Sequence, residues 1–217
     1  MKLLLGGPSY RMEVDAHHCG SLISLAVRLS TSRRESKGFD GKWRYGPTPI
    51  EILGAVYEHG TPVALARNSI FKYALESVRD AEKLLWLDAD CSIPQDQIPA
   101  IVKALEGADP ICIIPTAQRN KASNVWIGGP EKRLESVMLD GKLRECYAGG
   151  FGCVAFDLEW YRDHWPEAPW FRDGWTTGLG YESEDYGHCR ALVARGASVQ
   201  YVGARVLHHA RGGGEAL

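Results

Sequence analysis

Leu84-Leu85-Trp86-Leu87-Asp88-Ala89-Asp90 is four apolar residues stopped abruptly by two carboxylates. A run of that length closed by turn-forming residues reads as a strand buried on both faces. Downstream, Pro94 opens a helical pattern through Ile98, Ile101, Val102 and Leu105 that ends near Gly107, and residues 110–115 restore a strand. Upstream, Leu3-Leu4-Leu5 closed by Gly6-Gly7-Pro8-Ser9 reads as a first buried strand ending in a loop. Residues 61–66 read as a second strand. Residues 69–80 read as a helix with Ile70, Phe71, Ala74, Leu75 and Val78 on one face and Asn68 as its cap. Short aliphatic strands alternating with amphipathic helices predict an α/β fold: three layers, Rossmann-like, the central sheet mainly parallel in its N-terminal half. Such sheets bind ligands beyond the carboxyl ends of their strands, where Asp88 and Asp90 emerge.

The second half changes character. Residues 124–127, 134–139, 143–147 and 153–156 are short strand candidates, with Asp140-Gly141 as a hairpin turn, so the sheet is expected to become mixed. Ser183 caps a helix whose first turn carries Glu184 and Asp185; Cys189, Leu192 and Val193 face inward and Gly196 ends it. A last strand, 198–202, leads to His208-His209. Residues 14–29 take helical spacing in their second half. Residues 30–49 contain no Ile, Leu, Val or Met but five basic side chains, and read as a solvated insertion or as a loop that meets an anionic ligand.

The chain has 217 residues, enough for one domain with a real core, and 45% hydrophobic composition excludes disorder of the whole. Its 25 Lys and Arg against 27 Asp and Glu leave a net charge of -2, with no broad positive field for a nucleic acid. Six cysteines without a CxxC pair read as reduced, mostly buried side chains rather than zinc ligands. Leu3–Leu5 is too short an apolar run for a signal peptide or a membrane span, which predicts a cytoplasmic protein.

Asp88 and Asp90 repel one another unless something stands between them. A divalent cation does so, and hard oxygen donors at this spacing suit Mg²⁺ or Mn²⁺. The alternative is a strand-end turn in which the two side chains cap the next segment.

In their order along the chain, these features resemble the GT-A glycosyltransferases, in particular the family-two-like enzymes that use nucleotide-sugars. Ala66-Arg67-Asn68 before a helix, the 84–90 segment with its DxD, and Pro94 carry the likeness in the first half. Gly149-Gly150-Phe151-Gly152 before Cys153, Glu184-Asp185-Tyr186, and Arg205-Val206-Leu207-His208 carry it in the second. The resemblance implies a GT-A fold over 1–217, with a nucleotide-binding half of about 1–115 and an acceptor-binding half of about 116–217. It implies a UDP-sugar or GDP-sugar donor, an acceptor hydroxyl, and Mn²⁺ or Mg²⁺ as cofactor.

By that likeness Asp90 ligates the metal, Asp88 binds the ribose or the metal's water shell, and His208, in preference to His209, completes the metal site. Asp185 is the base that takes the acceptor's proton, and Glu184 binds the acceptor or orients that base. Acidic residues in a helix's first turn also arise simply from its dipole. Arg67 reaches the nucleotide base or diphosphate, or else forms a structural ion pair, and Pro8, Ser9 and Tyr10 cup the nucleoside. Gly149 and Gly150 let backbone approach a sugar, or mark ordinary bulges. From the aromatic-rich 160–175 segment, Trp170 or Trp175 is expected on the substrate. Lacking a QxxRW motif and a membrane helix, the chain departs from the processive polymerases and fits a single-transfer enzyme. Two other readings compete: a haloacid-dehalogenase-like phosphatase, whose nucleophile and acid also form a DxD, and a nucleotide-sugar binding protein without turnover.

Overall fold

The computed structural model describes residues 1–9, 22, 35–37, 43–45, 50–59, 62–117, 123–176 and 180–209. Strand β1 (Lys2–Ser9) is followed by a small antiparallel pair, β2 (Glu35–Lys37) and β3 (Trp43–Tyr45), which lies in the basic 30–49 segment. Then come β4 (Glu51–His59), α1 (Val63–Glu76), β5 (Lys83–Leu87), β6 (Cys91–Ser92), α2 (Ile98–Gly107) and β7 (Ile111–Ile113). The second half adds β8 (Thr116–Ala117), β9 (Val125–Trp126), β10 (Leu143–Glu145), β11 (Ala148–Gly149), β12 (Cys153–Asp157) and α3 (Leu158–His164). It closes with β13 (Gly174–Thr176), β14 (Gly180–Glu182), α4 (Glu184–Ala194), β15 (Val199–Val202) and β16 (Val206–His208).

Seven strands form the central sheet in the order β10-β15-β7-β12-β5-β1-β4. β1 runs parallel to both β4 and β5, whereas β12 runs antiparallel to β5 and β7. The sheet is therefore mixed, with a parallel N-terminal portion.

The alternation of side chains along a strand makes the three layers. Leu4, Leu84, Trp86, Val154 and Phe156 point to one face, where Phe71 of α1, Tyr161 of α3 and Leu192 of α4 cover them. Leu3, Leu5, Leu85, Leu87 and Ala155 point to the other, under Ile98, Ile101 and Leu105 of α2. Each large side chain so buried contributes about 2 kcal/mol. Gly7 lets the ends of β1 and β5 approach closely, because a methyl group there would strike the Leu87 carbonyl.

Five expectations are corrected. Residues 61–66 are not the second strand: that strand is β4, and Val63 already begins α1 after Pro62, whose fixed φ suits a helix entry. Asn68 is no cap but an interior residue of α1. Residues 134–139 form no strand, since Met138 and Leu139 are exposed, and Asp140-Gly141 is not a hairpin. It is a tight turn into β10, where the Asp140 carboxylate accepts the Lys142 N–H and Gly141 takes φ of +64°. Val193 is half exposed rather than inward. The helix expected within 14–29 lies outside the described residues, apart from Leu22, which is helical.

Candidate functional site

β5 ends at Leu87, and its neighbours β1 and β12 hold the next two residues in place. The Asp88 N–H is donated to the Gly152 carbonyl at 2.9 Å, and the Ala89 N–H to the Pro8 carbonyl at 3.3 Å. Asp88 turns inward. Its Oδ1 accepts the Trp86 indole N–H at 2.8 Å, and its Oδ2 stands 3.7 Å from Arg67 Nη2. Burial pushes this carboxyl up to about 6, against the opposing pull of the Arg67 charge and the Trp86 hydrogen bond.

Arg67 is the hub of a buried charge cluster. Only 3% exposed, it projects from α1 between the rings of Trp86 and Phe151, 5.6 and 5.5 Å from their centroids. Its Nη1 pairs closely with Asp185 Oδ1 and lies 3.0 Å from Glu184 Oε1. The other Asp185 oxygen accepts the Phe151 N–H at 3.0 Å. Three carboxylates from the end of β5 and the first turn of α4 thus converge on one guanidinium. Its Nε is buried without a hydrogen-bond partner among the described residues. Sequence reasoning found every member of this cluster but not that Arg67 joins them.

The glycine-rich segment that supplies Phe151 packs on protein. A methyl at Gly149 would meet Ile113 at 2.8 Å, and one at Gly150 would meet the Asn124 side chain at 2.9 Å. The Asn124 amide donates to the Gly150 carbonyl and accepts the Thr116 N–H. Close approach of backbone to a sugar is therefore not needed to account for these glycines.

Asp90 has a different fate from Asp88. The two-residue strand β6 pairs antiparallel with β16, with Cys91 opposite His208 and Ser92 opposite Leu207. Residues opposite one another share a face, so Cys91 and His208 project together. Asp90 joins them: its Oδ2 lies 3.4 Å from His208 Nε2 and its Oδ1 3.8 Å from Cys91 Sγ. One donor atom from each of the three lies within 4.8 Å of the others. His209 points the opposite way, as the strand period of two requires, and its Nε2 meets Ser92 Oγ at 2.7 Å. The carboxylate oxygen suits Mg²⁺ or Mn²⁺, and of the two the imidazole suits Mn²⁺. The thiol is pushed well above its ordinary value, by burial first and then by the charges of Asp88 and Asp90. Sequence reasoning missed Cys91, whose only local signal was adjacency to Asp90. Asp88 is not among these donors.

The remaining candidates scatter. Pro8 and Ser9 end β1 beside Ala89, and Tyr10 lies outside the described residues. Trp175 belongs to β13, its side chain outside the described part. Trp170 is 2% exposed, with its indole N–H donated to the Trp165 carbonyl, so it presents no open face for a sugar ring. The 170–171 backbone is tied to α1 by the Asn68 amide, which accepts the Trp170 and Phe171 N–H groups and donates to the Phe171 carbonyl.

Within α4, His188 is wholly buried and stacks on Phe171, 4.5 Å between centroids. Its Nδ1 lies 2.9 Å from the Trp170 carbonyl, which only accepts, so Nδ1 carries the proton and Nε2 accepts from the Tyr161 hydroxyl at 2.7 Å. Burial lowers this imidazole to about 3. A cavity of about 650 Å³ opens beside the same helix, bordered by Trp165, Trp170, Arg172, Glu182, Arg190 and Arg195. None of the clustered carboxylates lines it.

No family model matches the chain, and no curated protein does. Solved structures do. A197 from STIV aligns over 100% of this chain and 98% of its own, at 14% identity and a TM-score of 0.55. GalNAc-T7, solved with UDP, GalNAc and Mn²⁺, aligns over 96% of this chain at 15% identity and a TM-score of 0.52. TarS 1–349 from S. aureus aligns over 96% at 12% identity and a TM-score of 0.50. The fold is GT-A. This chain spans 44% of that GalNAc-T7 chain and 60% of that TarS chain, so what it shares with them is the GT-A core. Among the described residues no helix is long and apolar enough to cross a membrane.

Proposed function

We propose that this chain is a metal-dependent glycosyltransferase that moves a sugar from a nucleoside-diphosphate donor, a UDP-sugar by preference, to an acceptor hydroxyl. The observation that carries the reading is the adjacency of two unlike groups at one sheet edge. Asp90 and His208 stand on one side of the Asp88-Ala89-Asp90 step, and the Arg67 cluster with Asp185 and Glu184 on the other. Support also comes from the GT-A neighbour solved with UDP, GalNAc and Mn²⁺. The nucleotide-binding half is about 1–115 and the acceptor-binding half about 116–217.

In this reading Asp90 and His208 hold Mn²⁺ or Mg²⁺. Bound there, the cation supplies positive charge where the departing diphosphate becomes more negative. Phe151 N–H fixes one oxygen of Asp185, while Arg67 occupies the other. A donor diphosphate beside Arg67 competes for the guanidinium and releases Oδ1 of Asp185 to take the acceptor's proton. Donor binding thereby prepares the base. Glu184, on the same helix turn and the same guanidinium, orients the acceptor.

The test is calorimetry of UDP and GDP with and without Mn²⁺, paired with a donor-consumption assay. Asp90→Ala is expected to abolish metal-dependent nucleotide binding. Asp185→Asn is expected to keep binding and lower transfer by about 100- to 10,000-fold. Equal nucleotide affinity in Asp90→Ala and the parent removes the metal assignment. The tight Asp185–Arg67 pair favours one rival, a nucleotide-sugar binding protein without turnover, which a panel of acceptors with no donor consumed would support. The phosphatase reading has less support, because Asp88 is occupied by Trp86 and Arg67 and is not presented as a nucleophile.

A further inference from the structure

Cys91 is unlike the other thiols among the described residues. Cys112, Cys153 and Cys189 are buried within the central sheet or α4. Cys91 is just as buried, yet its sulfur adjoins a carboxylate and shares a strand face with an imidazole, through the β6–β16 register. Asp90 and His208 keep 26% and 36% side-chain exposure, so an ion has an approach from solvent on their side. The donors also differ in chemistry: a hard oxygen, a borderline imidazole and a soft sulfur. Bonds of about 2.0–2.3 Å to a tetrahedral ion put donors roughly 3.3–3.7 Å apart. The observed spacings of 3.4 and 3.8 Å, one to each Asp90 oxygen, are near that, and one donor atom of each of the three residues lies within 4.8 Å of the others, so a small side-chain adjustment closes the set.

We propose that Cys91 is the third protein donor of the Asp90–His208 site, and that its thiol makes the site select Zn²⁺-class cations, Co²⁺ and Zn²⁺, over Mg²⁺. The inference rests on Asp90 and His208 being cation ligands, and goes beyond that in giving the site its selectivity. On binding, a metal–sulfur bond forms, the S–H bond breaks, and the proton passes to solvent. Mg²⁺, a hard ion, gains little from sulfur or imidazole and is held by the carboxylate oxygen and water.

The experiment titrates Co²⁺ into the full chain under reducing conditions and reads the near-ultraviolet thiolate-to-cobalt charge-transfer band, which oxygen and nitrogen ligands do not produce. The parent is expected to show the band, and Cys91→Ala to lose it while keeping its circular dichroism. Loss of a ligand is expected to lower Co²⁺ and Zn²⁺ affinity by at least about 10- to 100-fold, the range seen when groups that merely support metal ligands are removed. Mn²⁺ binding, followed by paramagnetic resonance, is expected to change by less than about threefold. Should Cys91→Ala fold poorly, Cys91→Ser takes its place, and the parent's own spectrum is already decisive. Co²⁺ bound without the band, or a band that survives in the Cys91 variants, overturns the role of Cys91. Mn²⁺ retained alongside that result leaves the Asp90–His208 reading standing, whereas no binding of either ion, with or without UDP, overturns both.

Discussion

Asp88 and Asp90 stand two residues apart in sequence and in opposite physical circumstances. Asp88, 13% exposed, is turned into the sheet and held by Trp86 and Arg67. Asp90, twice as exposed, faces a rim built from β6 and β16, beside Cys91 and His208. Had β5 continued, its period of two would have placed both carboxylates on one face. It stops at Leu87, and the turn closed by the Cys91 N–H on the Asp88 carbonyl rotates the second away from the first. The pair therefore divides its labour: one carboxylate joins the buried network that ties α1 to α4, and the other joins a donor set at the surface. Substitutions in the inner cluster should cost stability, and those at the rim should cost binding.

The largest expected effect lies in the inner cluster. Arg67→Met leaves Asp88, Glu184 and Asp185 facing one another without their shared cation, and is expected to destabilise the fold by about 3–5 kcal/mol. Urea denaturation monitored by tryptophan fluorescence measures it. A loss below about 1 kcal/mol would mean that the three carboxylates relax to water, and the contrast between inner and outer groups would fail.

His188 sharpens the comparison through pH. Its imidazole is held near 3 in the fold, against an ordinary value of 6.5, so the unfolded chain takes up its proton first as pH falls. The neutral ring's contribution is complete above about 6.5 and is lost on acidification, at a slope approaching 1.4 kcal/mol per pH unit, or about 2 kcal/mol between pH 6.5 and 5. Asp88 acts in the opposite sense, since its carboxyl is raised and its contribution fades as pH rises through about 6. The informative quantity is thus the difference between the parent and His188→Phe, which removes one group and keeps the stacked ring. Parallel stability curves for the two proteins between pH 7 and 5 would show that His188 is not the titrating group.

How much of this was legible in the sequence depends on how local each cause is. The β5 strand, α2 and the acidic start of α4 are set by neighbouring residues, and their patterns were readable. Asn68 was not: a polar residue just ahead of a helical apolar pattern looks like a cap, but its amide reaches residues 170–171 across the chain. The stretch 134–139 has an apolar content that reads as a strand, but no partner strand lies beside it among the described residues, and its last two residues stay exposed. The site divides in the same way. Asp88, Asp90, Arg67, Glu184, Asp185 and His208 each carried a local signal. Their division into two clusters, the choice of His208 over His209, and the company of Cys91 all depend on the register of β6 against β16, a contact more than a hundred residues long in sequence.

The smallest expected effect tests that register directly, because the adjacent histidines at the end of β16 should fail in different ways. His209 meets Ser92 at 2.7 Å on the face away from Asp90, so His209→Ala should cost about 1 kcal/mol of stability, the worth of one hydrogen bond. Its backbone N–H donates to the Asp90 carbonyl at 2.8 Å, a bond that alanine keeps, so Mn²⁺ affinity should stay within about twofold, well under 1 kcal/mol. His208→Ala should do the reverse: its ring is 36% exposed, so stability should move by no more than about 0.5 kcal/mol. Mn²⁺ affinity should fall by about 10-fold or more, as expected when a ligand rather than its support is lost. Thermal melts and Mn²⁺ paramagnetic resonance on the same two preparations separate the cases. If the two outcomes were exchanged, β16 would have to sit one residue out of step with β6, bringing His209 opposite Cys91 and His208 opposite Ser92.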